Sequence, residues 1–179
     1  MCIRDRYLWG TRYLAIEYGA DSSAQLLVAS DASFADDNET RRSSQGYVMS
    51  LYGGLIVWKA SKQDTVTTST TEAELLSVER TAKETMATTR LLKELELAIP
   101  EPVTIYCDNI QIIRLVVGEN ERISTKLRHV DIQNMWLRQE HAKKSFHVTY
   151  LPTQDMPADG LTKNLICQQF ERFRAHLNL

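Results

Sequence analysis

Apolar and polar positions repeat with period two in several short runs of the chain and with a period near 3.6 in others. Residues 25–34 (QLLVASDASF) are apolar on both faces of an extended chain, the pattern of a buried central strand, and Asp31 interrupts it. Residues 46–52 (GYVMSLY) and 55–58 (LIVW) are two more strand runs joined at Gly53-Gly54. That dipeptide signals a hairpin, so part of the sheet is antiparallel. Residues 65–69 (TVTTS) fit another short extended piece. From Thr71 the period changes: Leu75, Val78, Ala82 and Met86 form one apolar stripe of a long helix that ends before Pro100. Val103, Ile105 and Cys107 then alternate with Thr104 and Tyr106 in a strand that stops at Asp108. A short helix over 110–117 is halted by Gly118, and a charged loop runs to 128. A second long helix over 130–142, an alternating strand over 146–151 and helical stretches over 158–163 and 166–177 complete the pass. A hairpin followed by strand–helix alternation predicts an α/β fold, a mixed sheet with helices on its faces.

The first residues stand apart. Residues 1–6 (MCIRDR) have no periodicity, and 1–5 read as a truncation edge or a scar. Residues 7–18 (YLWGTRYLAIEY) are aromatic and short, a helix fragment or a lead-in strand, and 19–23 form a polar break.

Composition narrows the class. The 179 residues are 43 % hydrophobic, enough for one ordinary domain with or without a tail. A formal net charge of −2 excludes polyanion binding through overall charge, so any such contact needs a local basic cluster or a bound cation. Cys2, Cys107 and Cys167 are scattered without a CxxC pair, which argues against a disulfide framework or a thiolate zinc site and for a reducing compartment. No apolar run reaches the length of a membrane span and no signal peptide is evident, so a soluble intracellular chain is expected.

Four acidic positions carry the candidate chemistry: Asp31, Glu72 or Glu74, Asp108 and Asp159, each on a separate element. Carboxylates gathered together raise one another's pKa unless a cation neutralises them. Hard oxygen ligands suit magnesium or manganese. Each acid also has a local alternative. Asp31 can begin a turn. Ser69-x-x-Glu72 and Thr71-x-x-Glu74 both fit a capping box. Asp108-Asn109 suits a helix N-cap, and Asp159 suits a helix N-terminus. Spacing alone leaves these alternatives open.

Seven motifs in order carry a resemblance. They are Ser30-Asp31-Ala32-Ser33, Arg41-Arg42-Ser43-Ser44-Gln45-Gly46-Tyr47, Val57-Trp58-Lys59-Ala60-Ser61-Lys62-Gln63, Ser69-Thr70-Thr71-Glu72-Ala73-Glu74, Tyr106-Cys107-Asp108-Asn109, Arg128-His129-Val130-Asp131-Ile132 and Ala158-Asp159-Gly160-Leu161-Thr162-Lys163. Together they resemble the ribonuclease H domain of copia-type long-terminal-repeat retrotransposon polyproteins. Residues 6–18 resemble the tail of the preceding reverse transcriptase, which divides the chain into a tail over 1–23 and a ribonuclease H-like domain over 24–179.

The resemblance implies a ribonuclease H-like fold, a five-stranded mixed sheet with its first three strands antiparallel, flanked by helices. It implies hydrolysis of the RNA strand of an RNA–DNA hybrid with two magnesium ions, manganese being possible. Asp31, Asp108 and Asp159 match the first, third and fourth metal-binding acids. The family tends to place its second acid just before an apolar residue of the helix core. That favours Glu74, followed by Leu75-Leu76, and leaves Glu72 as the capping residue. Ser69, Thr70, Asn109, Gln111 and Arg128 are expected on the nucleic acid, with Arg41, Arg42 and Lys126 as further basic candidates. Cellular relatives carry a mobile histidine in the loop before the last acid. Here that loop, 152–157, has none, and His129 is the candidate auxiliary group, with capping or packing at the helix start as its other role. The expected partners are the hybrid and the reverse transcriptase of the same polyprotein, with no membrane, in cytoplasmic virus-like particles. The rival expectation is an idle remnant that binds hybrids or acts as a scaffold.

Overall fold

The buried run around Asp31 is apolar on both faces because its strand lies in the middle of a covered sheet. The structure is a computed structural model that describes residues 3–19, 25–118, 125 and 127–179, with only the backbone of residues 3, 4 and 7. Five strands, β1 (Leu27–Ser33), β2 (Ser44–Leu51), β3 (Gly54–Lys62), β4 (Val103–Cys107) and β5 (Phe146–Tyr150), form one sheet in the order β3-β2-β1-β4-β5. β1 pairs antiparallel with β2, and β2 with β3. β1 runs parallel to β4, and β4 to β5. This is the expected ribonuclease H-like topology.

Helices follow from the apolar stripes. α1 (Ile3–Gly10) precedes an extended lead-in, so residues 7–18 are part helix and part extended, and the helix includes residues 3–5 of the stretch that lacks periodicity. α2 (Thr70–Glu94) is the long helix, and it packs its Leu75, Val78 and Ala82 face over β1. α3 (Ile110–Val117) and α4 (Arg128–Ala142) complete that layer, with Ile105, Ile112, Leu137 and Phe146 fully buried between helices and sheet. α5 (Asp159–Thr162) and α6 (Cys167–His176) lie on the opposite face, where Ala29, Val48, Leu55, Met156, Ala158 and Leu177 form a second, smaller core. Ile16 of the lead-in packs against that second core.

Two local expectations change. Residues 65–69 are loop rather than strand. Ser69 instead serves as the N-cap of α2, its hydroxyl accepting from the Glu72 amide at 3.2 Å. The hairpin turns at Tyr52-Gly53, one residue earlier than the glycine pair suggests. Both have positive φ, 51° and 74°, as a type I′ turn requires. Gly54 is needed for a different reason: a Cβ there would lie 2.2 Å from the Tyr18 ring. Tyr18 donates its hydroxyl to the Leu55 carbonyl at 2.9 Å, so the lead-in segment is stitched to the hairpin.

On β1, successive side chains face opposite layers. Ser30 points to α2, where its hydroxyl lies 3.0 Å from that of Ser77 and accepts from Thr81 at 2.9 Å. Asp31 points to the α5 side. Gly46 is its antiparallel partner on β2. A Cβ on Gly46 would sit 2.7 Å from Leu161 Cβ and 3.1 Å from Thr162 Cγ2. The bare backbone there lets α5 close down onto β1 and bring Asp159 towards Asp31.

Candidate active site

Each acid arrives on a different element. Asp31 is mid-strand and fully buried; Glu74 sits in the second turn of α2, also buried; Asp108 follows the last residue of β4; Asp159 opens α5. Among the described residues two groups can converge on a cation: Asp31 with Asp108 and Asp159, and Glu74 with Cys107 and Asp108. In each group the donor atoms lie within 4.8 Å of one another, and Asp108 belongs to both.

The electrostatics follow from burial. Desolvation pushes the Asp31 carboxyl up to about 6, with Asp159 and Asp108 adding to the effect and Lys163 and Thr162 opposing it. Glu74 is pushed further, to about 9, again by burial first and then by the charges of Asp31 and Asp108. Its Oε2 is buried without a hydrogen-bond partner. Burial drives the Cys107 thiol well above its ordinary range, so it stays protonated and leaves the carboxylate oxygens as ligands. An all-oxygen set with an orphaned buried carboxylate atom fits a hard divalent cation.

Hydroxyls and one amine hold the acids. Thr153, in a 3₁₀ turn over Thr153–Asp155, donates to Asp108 Oδ2 at 2.8 Å. Thr162 donates to Asp31 Oδ2. Lys163 Nζ lies 3.3 Å from Asp31 Oδ1 and also donates to Asp159. Burial alone would depress the Lys163 ammonium, but the two carboxylates outweigh it and hold it above its usual value.

The two glutamates of α2 separate cleanly. Glu72 accepts from the Thr68 amide at 2.6 Å and its hydroxyl at 2.7 Å, and from the Thr125 hydroxyl. These bonds outweigh the upward effect of burial and lower its pKa. Glu72 therefore closes the capping box with Ser69, and the alternative box from Thr71 to Glu74 does not form because the helix begins at Thr70. Asn109, not Asp108, caps α3: its Oδ1 accepts from the Gln111 amide at 2.9 Å.

Comparison with known proteins shows what the chain is related to. The chain is 36 % identical over 166 residues, 93 % of its length, to the retrovirus-related Pol polyprotein from transposon TNT 1-94 of Nicotiana tabacum. It is 32 % identical over 174 residues to that from transposon RE1 of Arabidopsis thaliana. The chain is a ribonuclease H-like domain related to copia-type LTR-retrotransposon Pol polyproteins. It spans 12 % of the length of each of those two relatives. No protein-family model matches it. Among solved structures the ribonuclease H-like domain is similar to LC11-RNase H1, isolated from compost by a metagenomic approach (TM-score 0.57, 14 % identity, 78 % of this chain and 93 % of that one). It is also similar to RNase H1 of Halobacterium salinarum NRC-1 (TM-score 0.55, 13 % identity, 76 % and 93 %). At that identity the likeness shows the fold.

The remaining candidates of the ribonuclease H-like domain surround the acids unevenly. Thr70 is exposed at the first residue of α2, and Ser69 beside it uses its hydroxyl oxygen in the cap. Exposed Gln111 accepts from the Thr71 hydroxyl at 2.9 Å, which joins the N-terminal ends of α2 and α3 beside the acids. Arg128 is exposed at the start of α4, Arg41 and Arg42 are exposed in the β1–β2 loop, and Lys126 lies outside the described residues. His129 is not with the carboxylates. Its Nε2 lies 3.3 Å from Thr65 Oγ1, and it borders a polar cleft with Gln63, Glu79, Arg80 and Gln133 that none of the four acids lines. Thr153, Thr162 and Lys163 touch the acids and were not singled out from the sequence. The last two lie within the motif around Asp159, but nothing in their spacing points them at Asp31. Thr153 has no sequence signal beyond its place in the loop where the histidine is missing.

Proposed function

We propose that this ribonuclease H-like domain hydrolyses the RNA strand of RNA–DNA hybrids during retrotransposon reverse transcription, as a divalent-metal-dependent endonuclease. The observation that carries the reading is Glu74: a buried carboxylate with an unpartnered oxygen, beside Asp108 and under the charge of Asp31. Such a cluster persists as charged groups only around a cation. A hydrogen-bonded structural acid has its oxygens occupied, as Glu72 does.

Asp31, Glu74, Asp108 and Asp159 hold two magnesium ions, manganese being the alternative. When bound, these ions supply the charge that activates water and stabilises the departing 3′ oxygen in phosphodiester cleavage. The residues supply position. Thr153 fixes one oxygen of Asp108, and Thr162 fixes one of Asp31. No Ser-His or Cys-His pair is called for, and the protonated Cys107 is no nucleophile.

Substrate choice rests on shape. A hybrid presents 2′-hydroxyls in a wide, shallow minor groove. Asn109 and Gln111 stand beside the acids to read it, Ser69 and Thr70 meet phosphate at the helix entrance, and Arg128 adds charge. One of the solved neighbours, LC11-RNase H1, is recorded in complex with an RNA/DNA hybrid, which supports the substrate class. Residues 1–23 belong to a preceding reverse transcriptase region and 24–179 to the ribonuclease H-like domain. The reverse transcriptase of the same polyprotein is the partner, and the setting is cytoplasmic virus-like particles. No helix among the described residues is long and apolar enough to cross a membrane.

A gel assay with labelled hybrid tests the proposal. Cleavage of the RNA strand in magnesium, absent in chelator and absent on duplex DNA, is the expected result. An intact hybrid across a magnesium and manganese series contradicts it.

A further inference from the structure

Lys163 brings a cation to the acids. Its Nζ lies 3.3 Å from Asp31 Oδ1 and donates to Asp159 Oδ1. Asp31 Oδ2 is meanwhile taken by the Thr162 hydroxyl. Both oxygens of Asp31 are therefore engaged by two consecutive residues of one short segment. Each carboxylate oxygen has two lone pairs, so the neutral Thr162 hydroxyl can stay while an ion binds, whereas the Lys163 ammonium is a competing positive charge.

The two donors also differ in how freely they can move. Thr162 is buried, short and fixed on α5. Lys163 lies just past α5 in extended backbone (φ −126°, ψ 150°), and its side chain keeps 36 % exposure while Asp31 has none. A flexible four-carbon stem that already reaches water can carry the ammonium outward with little rearrangement. Two cations at the same pair of carboxylates repel; the divalent ion balances both charges, and the ammonium offsets one of the two.

We propose that Lys163 is a tethered stand-in for the metal: its ammonium bridges Asp31 and Asp159 and offsets part of their charge in the ion-free protein, and it swings out when a divalent ion takes those oxygens. The inference rests on reading Asp31 and Asp159 as metal ligands. It gives Lys163 two consequences. The ion-free site is steadied where Asp31 and Asp159 would otherwise repel. Metal binding also has a built-in competitor, which sets the concentration of free ion at which the site loads. Lys163 is thus a positioning residue that acts through the acids.

The test titrates manganese into the 179-residue chain, as wild type and as Lys163→Met, by calorimetry. In parallel, acetylation of Lys163 in the wild type is followed by mass spectrometry with and without saturating magnesium. The expected results are manganese binding about tenfold tighter in Lys163→Met, and Lys163 acetylation several-fold faster with magnesium present. Equal or weaker binding by the variant overturns the proposal, because a purely structural lysine would leave affinity unchanged or lower it. Unchanged or slower acetylation also overturns it, because the amine then stays in place as the ion arrives. That second measurement needs no variant and decides the matter if Lys163→Met fails to fold. If the wild type binds no manganese at all, the metal-site reading fails and takes this inference with it.

Discussion

Glu72 and Glu74 stand two residues apart on one helix, and their carboxylates have opposite fates. Glu72 is bound by Thr68 and Thr125 and its pKa is lowered; Glu74 keeps an unpartnered buried oxygen beside Asp108 and its pKa is raised to about 9. One closes the helix and the other faces the site. Glu74→Gln should abolish hybrid cleavage with the fold intact by circular dichroism. Glu72→Gln should retain cleavage and lose about 1–2 kcal/mol of stability in denaturant melts, the size of a lost cap. The reverse pattern would exchange their roles.

The raised acids give the ion-free protein an unusual pH dependence. A carboxyl whose folded pKa lies above its unfolded one favours the folded state while protonated. That advantage is complete below about pH 4 and is lost as pH rises through the folded values, about 6 for Asp31 and about 9 for Glu74. In chelator, the melting temperature should therefore fall between pH 5 and pH 9 through these two groups. Glu74→Gln, which mimics the neutral form, should flatten the upper part of that fall. A wild-type melting curve in chelator that matches Glu74→Gln at every pH would contradict it.

Thr153 orients Asp108 through one hydrogen bond of 2.8 Å. Removing such a supporting contact typically costs roughly tenfold or more in metal affinity. Thr153→Val should weaken manganese binding by about that factor and leave the melting temperature of the ion-free chain within about 2 °C, since Thr153 is exposed. Calorimetry and a thermal scan on the same sample check both.

Gly46 permits the close contact of β2 with α5. A methyl group there meets Leu161 Cβ at 2.7 Å and must push the helix back. Gly46→Ala should cost about 1–3 kcal/mol by overpacking. It should also lower cleavage by more than its loss of stability explains, because α5 carries Asp159. Cleavage measured well below the melting temperature separates the two effects.

Long-range order was readable wherever one residue type had one physical use. The alternation of Val103, Ile105 and Cys107 marked β4, and the stripe from Leu75 to Met86 marked α2, because burial selects apolar residues at those periods. The acids were readable as four isolated anomalies, and the collinear motifs suggested their convergence. What stayed hidden depends on contacts between distant segments. Thr162 meets Asp31 across 131 residues of sequence, and Thr125 meets Glu72 across 53, so no local pattern encodes either bond. Residues 65–69 have the β-branched composition of a strand, yet they are loop, because Ser69 caps α2 and Thr68 binds Glu72. Side-chain capping won there over strand propensity. His129 sits 3.3 Å from Thr65 and borders a cleft that none of the four acids lines, a placement that its position at the start of α4 does not encode.

The central claim is a cation-dependent site built around Asp108, which belongs to both carboxylate groups. The direct measurement is the cleavage rate of a labelled RNA–DNA hybrid in magnesium by the wild-type chain and by Asp108→Asn. The account predicts cleavage of the RNA strand by the wild type, none in chelator, and a loss of at least about a thousandfold in the variant. Cleavage by Asp108→Asn at the wild-type rate would contradict it.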